Sequence, residues 1–68
     1  MIKSVFQELE EQANAAGVDL LAAVVASGSS DSTFYRWRDR EFEPRAATAR
    51  RVSAKIDELA NGRHLSFG

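Results

Sequence analysis

The stretch SGSSDSTFYRWRDRE, residues 27–41, decides the fold of this 68-residue chain. It opens with one glycine among three serines and continues into a segment rich in aromatic residues and arginines. Because glycine allows positive φ and serine hydroxyls bond nearby backbone amides, residues 27–30 predict a tight turn. Ser30 is a suitable N-cap for a helix that we predict over residues 31–40.

The predicted helix over residues 31–40 has two chemically different sides. At about 100° per residue, Phe34 and Trp37 fall on one side. The opposite side carries Ser32, Tyr35, Arg36 and Asp39. We expect the two rings in the core, so the hydroxyl and guanidinium groups are expected to face outward.

The first segment predicts a helix over residues 3–16. Its apolar residues recur at spacings of three and four, which is typical of an amphipathic helix. Ser4 with Gln7 three residues later predicts a capping box at the start. Gly17 predicts a left-handed residue at the end.

A short apolar helix is predicted between the first helix and the turn. Asp19 is its predicted N-cap, Gly28 ends it, and the helix itself spans residues 20–27. Two short helices joined by a glycine turn form a helix-turn-helix arrangement, here over residues 20–40. The B-DNA major groove admits an α-helix, and residues near the N-terminus of the second helix reach base edges.

A fourth helix is predicted after the charged connection EFEPR, residues 41–45. Pro44 is its predicted first residue, and Glu43 is expected to help cap its entry. The inner stripe of this helix consists of Ala49, Val52, Ile56 and Leu59. Asn61 and Gly62 predict its stop.

The tail, residues 63–68, alternates Leu65 and Phe67 with polar residues and predicts a short extended segment or an apolar strap. Leu65 and Phe67 are the candidate contacts of a homodimer, with an apolar patch on the fourth helix as the alternative. The whole chain therefore predicts an all-α fold: one compact four-helix bundle-like domain over residues 1–68, with a central helix-turn-helix.

Composition limits the class of protein. Cysteine is absent, and neither a membrane-spanning run nor a secretory leader is visible, so we expect a cytoplasmic protein. The net charge is −1, but residues 28–51 hold six arginines and a net charge of +2, whereas residues 1–19 sum to −3. Arginine suits bidentate recognition of phosphate and guanine.

No residue pattern indicates an enzyme. His64 has no carboxylate or hydroxyl partner at a catalytic spacing, and Glu8, Glu10 and Glu11 lie too close together to form a metal site without a second segment. A nucleophile with its base and a phosphate-cradling glycine loop are also missing. We expect no catalytic residue, no metal, no cofactor and no small-molecule ligand.

The segment SGSSDSTFYRW, followed by a charged turn and EPR, resembles the lambda-repressor-like, Xre-type helix-turn-helix family over residues 19–60. In the resemblance Gly28 takes the turn glycine, Ser30 the cap, Thr33 the family threonine, Phe34 the buried apolar residue and Trp37 the buried aromatic. Ser29, where the family has an apolar residue, and Val24, where it prefers alanine, depart from the pattern. The resemblance implies a transcriptional regulator of the Cro kind, from a phage or mobile element, that binds a palindromic operator as a homodimer.

The resemblance places Asp31, Ser32, Tyr35 and Arg36 where relatives contact bases or flank them. Arg36 is the first candidate for a bidentate contact with guanine. Asp31 either accepts from cytosine or, as we favour, serves the helix dipole and cap. Tyr35 either stacks, donates to a phosphate or touches a thymine methyl. The predicted phosphate contacts are Ser30, Thr33, Arg38, Arg40 and Arg45.

Two alternatives stay open. The arginines at 36, 38, 40 and 45 are also compatible with a solvated face on which they merely balance Asp39, Glu41 and Glu43. The second function compatible with the sequence is a protein-interaction module, antitoxin-like or antirepressor-like, that keeps a helix-turn-helix scaffold and binds a protein through its acidic first helix. Steep salt dependence of duplex binding separates the two functions.

Overall fold

Residues 3–65 are described by the computed structural model, and their side chains through residue 62. Within this range lie four α-helices and no strand: α1 Val5–Ala16, α2 Leu20–Ala26, α3 Asp31–Arg38 and α4 Ala46–Leu65. α1 and α2 both pack on α4 and on each other, and α3 packs on α2. The predicted all-α class is confirmed.

The start and the end of α1 follow the predicted local signals. Ser4 Oγ accepts from the backbone N–H of Gln7 at 3.1 Å, and the Gln7 side chain accepts from the N–H of Ser4 at 3.0 Å. Gly17 lies at φ 70°, and Val18 N–H donates to Ala13 C=O at 2.9 Å. Both groups of bonds satisfy backbone atoms that a helix terminus leaves unpaired, which is why α1 has sharp limits.

The core is assembled from all four helices. Its largest fully buried side chains are Val24 of α2 and Val52 and Ile56 of α4, and Trp37 of α3 is 3% exposed. The other buried apolar residues are Phe6, Leu9, Ala13, Val18, Leu20 and Ala23. Ala49 and Leu59, the remaining members of the predicted inner stripe of α4, are half-buried and pack on this core.

A polar cluster for which the sequence pattern carries no signal joins α1 to α4. Gln12 Nε2 donates to Ser53 C=O and to Asp57 Oδ1, each at 3.2 Å, and Ser53 Oγ donates to Gln12 Oε1 at 2.9 Å. Gln12 and Ser53 are half-buried. Because partly buried hydrogen bonds are directional, this cluster fixes the register of α1 along α4.

The predicted limits of the fourth helix are wrong at both ends. α4 begins at Ala46, two residues after Pro44, because the C=O of Arg45 accepts the first helical bond from Ala49 N–H at 2.8 Å. Pro44 is buried in the preceding connection instead. At the other end, α4 runs through Asn61 and Gly62 to Leu65.

An asparagine and a glycine inside a helix cost about 1 kcal/mol each at most, and this cost does not end a helix whose preceding turn, Leu59 and Ala60, packs on the core. The predicted extended tail is therefore wrong for residues 63–65, which are helical. Residues 66–68 lie outside the described part of the chain.

The two short helices are each close to their predicted limits. α2 ends at Ala26 and α3 at Arg38, one and two residues earlier than expected. Asp19 occupies the N-cap position of α2, but its side chain makes no capping hydrogen bond. None of the helices in residues 3–65 combines the length and the apolar character that crossing a membrane requires.

Candidate nucleic-acid interface

α3 begins with the predicted serine cap. Ser30 Oγ accepts from Thr33 N–H at 3.2 Å, and the two hydroxyl oxygens lie 3.1 Å apart. Asp31 Oδ1 accepts from Ser32 N–H at 2.8 Å. This bond agrees with the dipole and cap role that we favoured for Asp31, because a negative charge in the first turn is stabilised by the helix dipole. Its alternative, a base contact, stays a prediction.

The ring side of α3 is anchored by α1. The ring of Phe6 lies 5.7 Å from that of Phe34 in an edge-to-face arrangement and 6.4 Å from that of Trp37. Trp37 is buried and Phe34 half-buried, as the two-sided pattern predicted. The indole Nε1 of Trp37 is buried without a hydrogen-bond partner among the described residues.

The opposite side of α3 faces solvent. Ser32, Tyr35 and Arg36 lie on this side, and Tyr35 reaches 40% exposure, which is high for a large aromatic side chain. Since Phe34 and Trp37 pack against the core, the rotation of α3 about its axis is fixed and this face points to solvent. The predicted exposure of these three side chains is confirmed, and their contacts with bases stay a prediction.

The acidic groups near the arginines differ in their partners. Asp39 Oδ1 lies 3.6 Å from Arg38 Nε, and Glu43 Oε1 accepts from Val5 N–H at 3.1 Å. Glu43 therefore caps the first turn of α1 and not, as expected, the start of α4. Within residues 3–65, Arg36, Arg40 and Arg45 are exposed and form no ion pair within 4.0 Å.

The C-terminal end of α3 contains a left-handed residue that is not glycine. Arg40 lies at φ 64°, where its N–H donates to Trp37 C=O at 3.1 Å and the following Glu41 N–H donates to Arg36 C=O at 3.0 Å. This pair of bonds is a Schellman motif with arginine at the position that glycine usually occupies. The motif was not predicted, because no glycine marks the position in the sequence.

Four of the five predicted phosphate contacts line two grooves, and the fifth, Ser30, is the exposed N-cap of α3 and lines neither. Thr33 and Arg45 line one groove of about 490 Å³ between the α2–α3 turn and the start of α4, and Ser29 and Thr48 line it with them. Sequence reasoning missed Thr48, although it lies one helical turn after Arg45.

Arg38 and Arg40 line a second groove, of about 480 Å³, against the start of α1, where Lys3 adds a third cation. Glu10 and Glu43 also line it, so this groove is less positive than its three cations alone suggest. Trp37 lies in the wall of both grooves.

The candidate dimer contacts are not part of the described surface. Leu65 is the last residue of α4, and its side chain lies outside the described residues, as does the whole of Phe67. Comparisons with protein-family models, with curated proteins and with solved structures find no match for this chain.

Proposed function

We propose that this protein is a sequence-specific double-stranded DNA-binding transcriptional regulator. α2, the turn at residues 27–30 and α3 act as a helix-turn-helix, and α3 enters the major groove. One observation carries the proposal: α3 buries Trp37 while its outer face presents Ser32 and Arg36, and Arg36 forms no ion pair with any acid among the described residues. That combination orients guanidinium and hydroxyl donors away from the core.

The dimensions and chemistry of α3 suit this role. An α-helix fits the major groove, and side chains in its first two turns reach base edges. Ser32 and Arg36 are four residues apart and therefore lie on one face of the helix. Arg36 donates to O6 and N7 of a guanine, and Ser32 donates to a neighbouring base or phosphate.

The local charge supports binding despite the sequence pI of about 5.7. Arg40 and Arg45 flank α3 and carry no ion pair in the described structure, so both are available to phosphates. Of the nearby acids, Glu43 bonds the start of α1, and Asp39 lies 3.6 Å from Arg38. The Arg38–Asp39 contact is the pairing that the solvated-face alternative expects, whereas Arg36, Arg40 and Arg45 have no such partner within 4.0 Å among the described residues.

A domain of this size gains affinity and specificity as a homodimer on a palindrome whose half-sites are about 34–36 Å apart. Such a dimer represses by occupying a promoter, as the resemblance to Cro-like regulators implies. We propose contacts through the C-terminal segment that contains Leu65 and Phe67. Removal of residues 63–68 is expected to give a monomer by sedimentation, and an unchanged dimer would refute this assignment.

The test of the function is selection of bound sites from a random duplex pool, followed by affinity measurements on the selected site over a range of salt concentrations. We expect a palindromic site and an affinity that falls steeply with salt, because bound phosphates release counterions. Absence of duplex binding at low salt would refute the proposal and favour the protein-interaction module.

Substitutions of Arg36 test the direct contact on the selected site. Arg36→Ala is expected to remove the preference at one base pair, a loss of about 1–3 kcal/mol of discrimination. Arg36→Lys is the matched control, because it keeps the charge and loses the bidentate geometry. An even loss of affinity over all sequences for both variants would reassign Arg36 to a phosphate.

A further inference from the structure

Tyr35 is the exposed end of a row of aromatic rings that begins in the core. The rings of Phe6 and Phe34 are 5.7 Å apart at an interplanar angle of 62°, and those of Phe34 and Tyr35 are 5.4 Å apart at 75°. Phe6 is 7% exposed, Phe34 is half-buried and Tyr35 is exposed. The tyrosine ring therefore lies against a neighbour that is itself fixed by the core.

Arg38 contacts the Tyr35 ring from the next turn of α3. Its Cζ lies 4.9 Å from the centroid of the Tyr35 ring, in cation–π geometry. The two residues are three positions apart on α3, which places them on one face. Arg38 Nε also lies 3.6 Å from Asp39 Oδ1, so part of its charge is offset within its own segment.

This arrangement limits how Tyr35 meets a nucleic acid. A base that stacks on tyrosine, as in single-strand binding, needs a free ring face. Arg38 covers a face of this ring, and Phe34 lies beside it. The hydroxyl and the ring atoms that Arg38 leaves uncovered suit hydrogen bonds and apolar contacts with base edges in a duplex groove.

We propose that Arg38 is a positioning residue: it fixes the Tyr35 ring so that the hydroxyl and the ring edge contact one base pair of duplex DNA. The inference rests on the proposed function and deepens it in two ways. It replaces the expected phosphate contact of Arg38, and among the three roles left open for Tyr35 it selects a contact with base edges over base stacking.

A double-mutant cycle on the selected duplex tests the coupling. Tyr35→Phe keeps the ring and removes the hydroxyl, and it is expected to reduce the preference at one base pair by about fivefold to tenfold. Arg38→Met keeps the aliphatic stem and is expected to reduce the same preference by about twofold to fivefold, with an unchanged salt slope. The double variant is expected to be no worse than Tyr35→Phe alone.

Arg45→Met serves as the matched control, since Arg45 is exposed, carries no described ion pair and is a proposed phosphate contact. It is expected to weaken all sequences evenly and to lower the salt slope by about one. The same behaviour in Arg38→Met would overturn the positioning role. Additive losses in the double variant, or wild-type affinity for single strands equal to that for the duplex, would also overturn it.

The free protein gives a second readout that does not depend on DNA. The chain has one tyrosine, so its ring signals are assigned directly by NMR. The δ-methylene protons of Arg38 are expected to be shifted upfield by the Tyr35 ring, and Tyr35→Leu is expected to abolish that shift. An unshifted Arg38 in the wild type overturns the inference and leaves the proposed function standing, whereas failure of the wild type to bind any duplex refutes both.

Discussion

The C-terminal ends of α2 and α3 are built by the same hydrogen bonds and by different residues. At the end of α2, Gly28 N–H donates to Val25 C=O at 3.1 Å, and the next residue donates to Val24 C=O at 3.2 Å. At the end of α3, Arg40 and the residue after it make the equivalent bonds. Gly28 lies at φ 105° and Arg40 at φ 64°.

The difference between these two ends concerns stability and function. A residue with a Cβ in left-handed conformation is less stable than glycine by about 1–2 kcal/mol. α2 avoids this penalty, and α3 carries it at an exposed arginine beside the proposed DNA-binding face. A strained backbone residue beside this face agrees with our proposal that the Arg40 side chain contacts DNA.

The largest expected effect comes from removing the ring that fixes the end of α3. Trp37→Ala is expected to lower the free energy of unfolding by about 3–5 kcal/mol, because it removes a fully packed indole and leaves a cavity. A chain of this length has about 3–10 kcal/mol in total, so the variant is expected to be largely unfolded by circular dichroism. Trp37→Phe, the control, is expected to stay folded, and a folded, native-like Trp37→Ala would contradict the anchoring role.

The next effect tests the requirement for glycine at the end of α2. Gly28→Ala is expected to destabilise the protein by about 1–2 kcal/mol in urea unfolding. A Cβ at this position meets no atom within 4 Å, so the loss reports backbone strain and not a steric clash. A neutral outcome would mean that α2 ends without the left-handed residue.

At the end of α3, the corresponding substitution is expected to change stability in the opposite direction. Arg40→Gly is expected to stabilise the protein by about 1 kcal/mol, because the backbone strain is relieved. It is also expected to weaken duplex binding and to lower the salt slope by about one, because a phosphate contact is lost. A stabilised variant with unchanged DNA affinity would remove Arg40 from the binding surface.

The smallest expected effect is at Gly62, a glycine without backbone strain, which serves as the reference for Gly28 and Arg40. Gly62 lies inside α4, shows no positive φ and has open space where a Cβ would lie. Gly62→Ala is expected to raise the free energy of unfolding by about 0.5–1 kcal/mol through helix propensity alone. Loss of stability here would indicate that the surroundings of Gly62, and not its propensity, determine the effect.

Local sequence signals predicted the starts of α1 and α3 well. The box of Ser4 and Gln7 and the cap at Ser30 act over three residues, so their outcome depends little on the rest of the chain. Local signals failed to predict the limits of α4, where they compete with tertiary contacts. Asn61 and Gly62 did not end α4, and Pro44 is buried in the connection ahead of the helix that it was expected to begin.

The candidate site was predictable in its orientation and not in its pairings. A spacing of three residues placed Phe34 and Trp37 inside and Arg36 outside, as observed. The hydrogen-bond partner of Glu43 and the ring contact of Arg38 could not be predicted from the sequence. Glu43 bonds a backbone amide 38 positions away, and Arg38 lies over the Tyr35 ring in addition to its contact with the neighbouring Asp39.

The amino-acid sequence by itself determined the helical segments, the caps of α1 and α3 and the side of α3 that faces the core, because these depend on hydrogen bonds and periodicity within one or two turns. Only the tertiary structure decided how far α4 extends, how Gln12 fixes α1 against it and which arginines are left without acidic partners among the described residues. Those outcomes depend on burial and on groups that meet only when distant segments pack, so no local pattern encodes them.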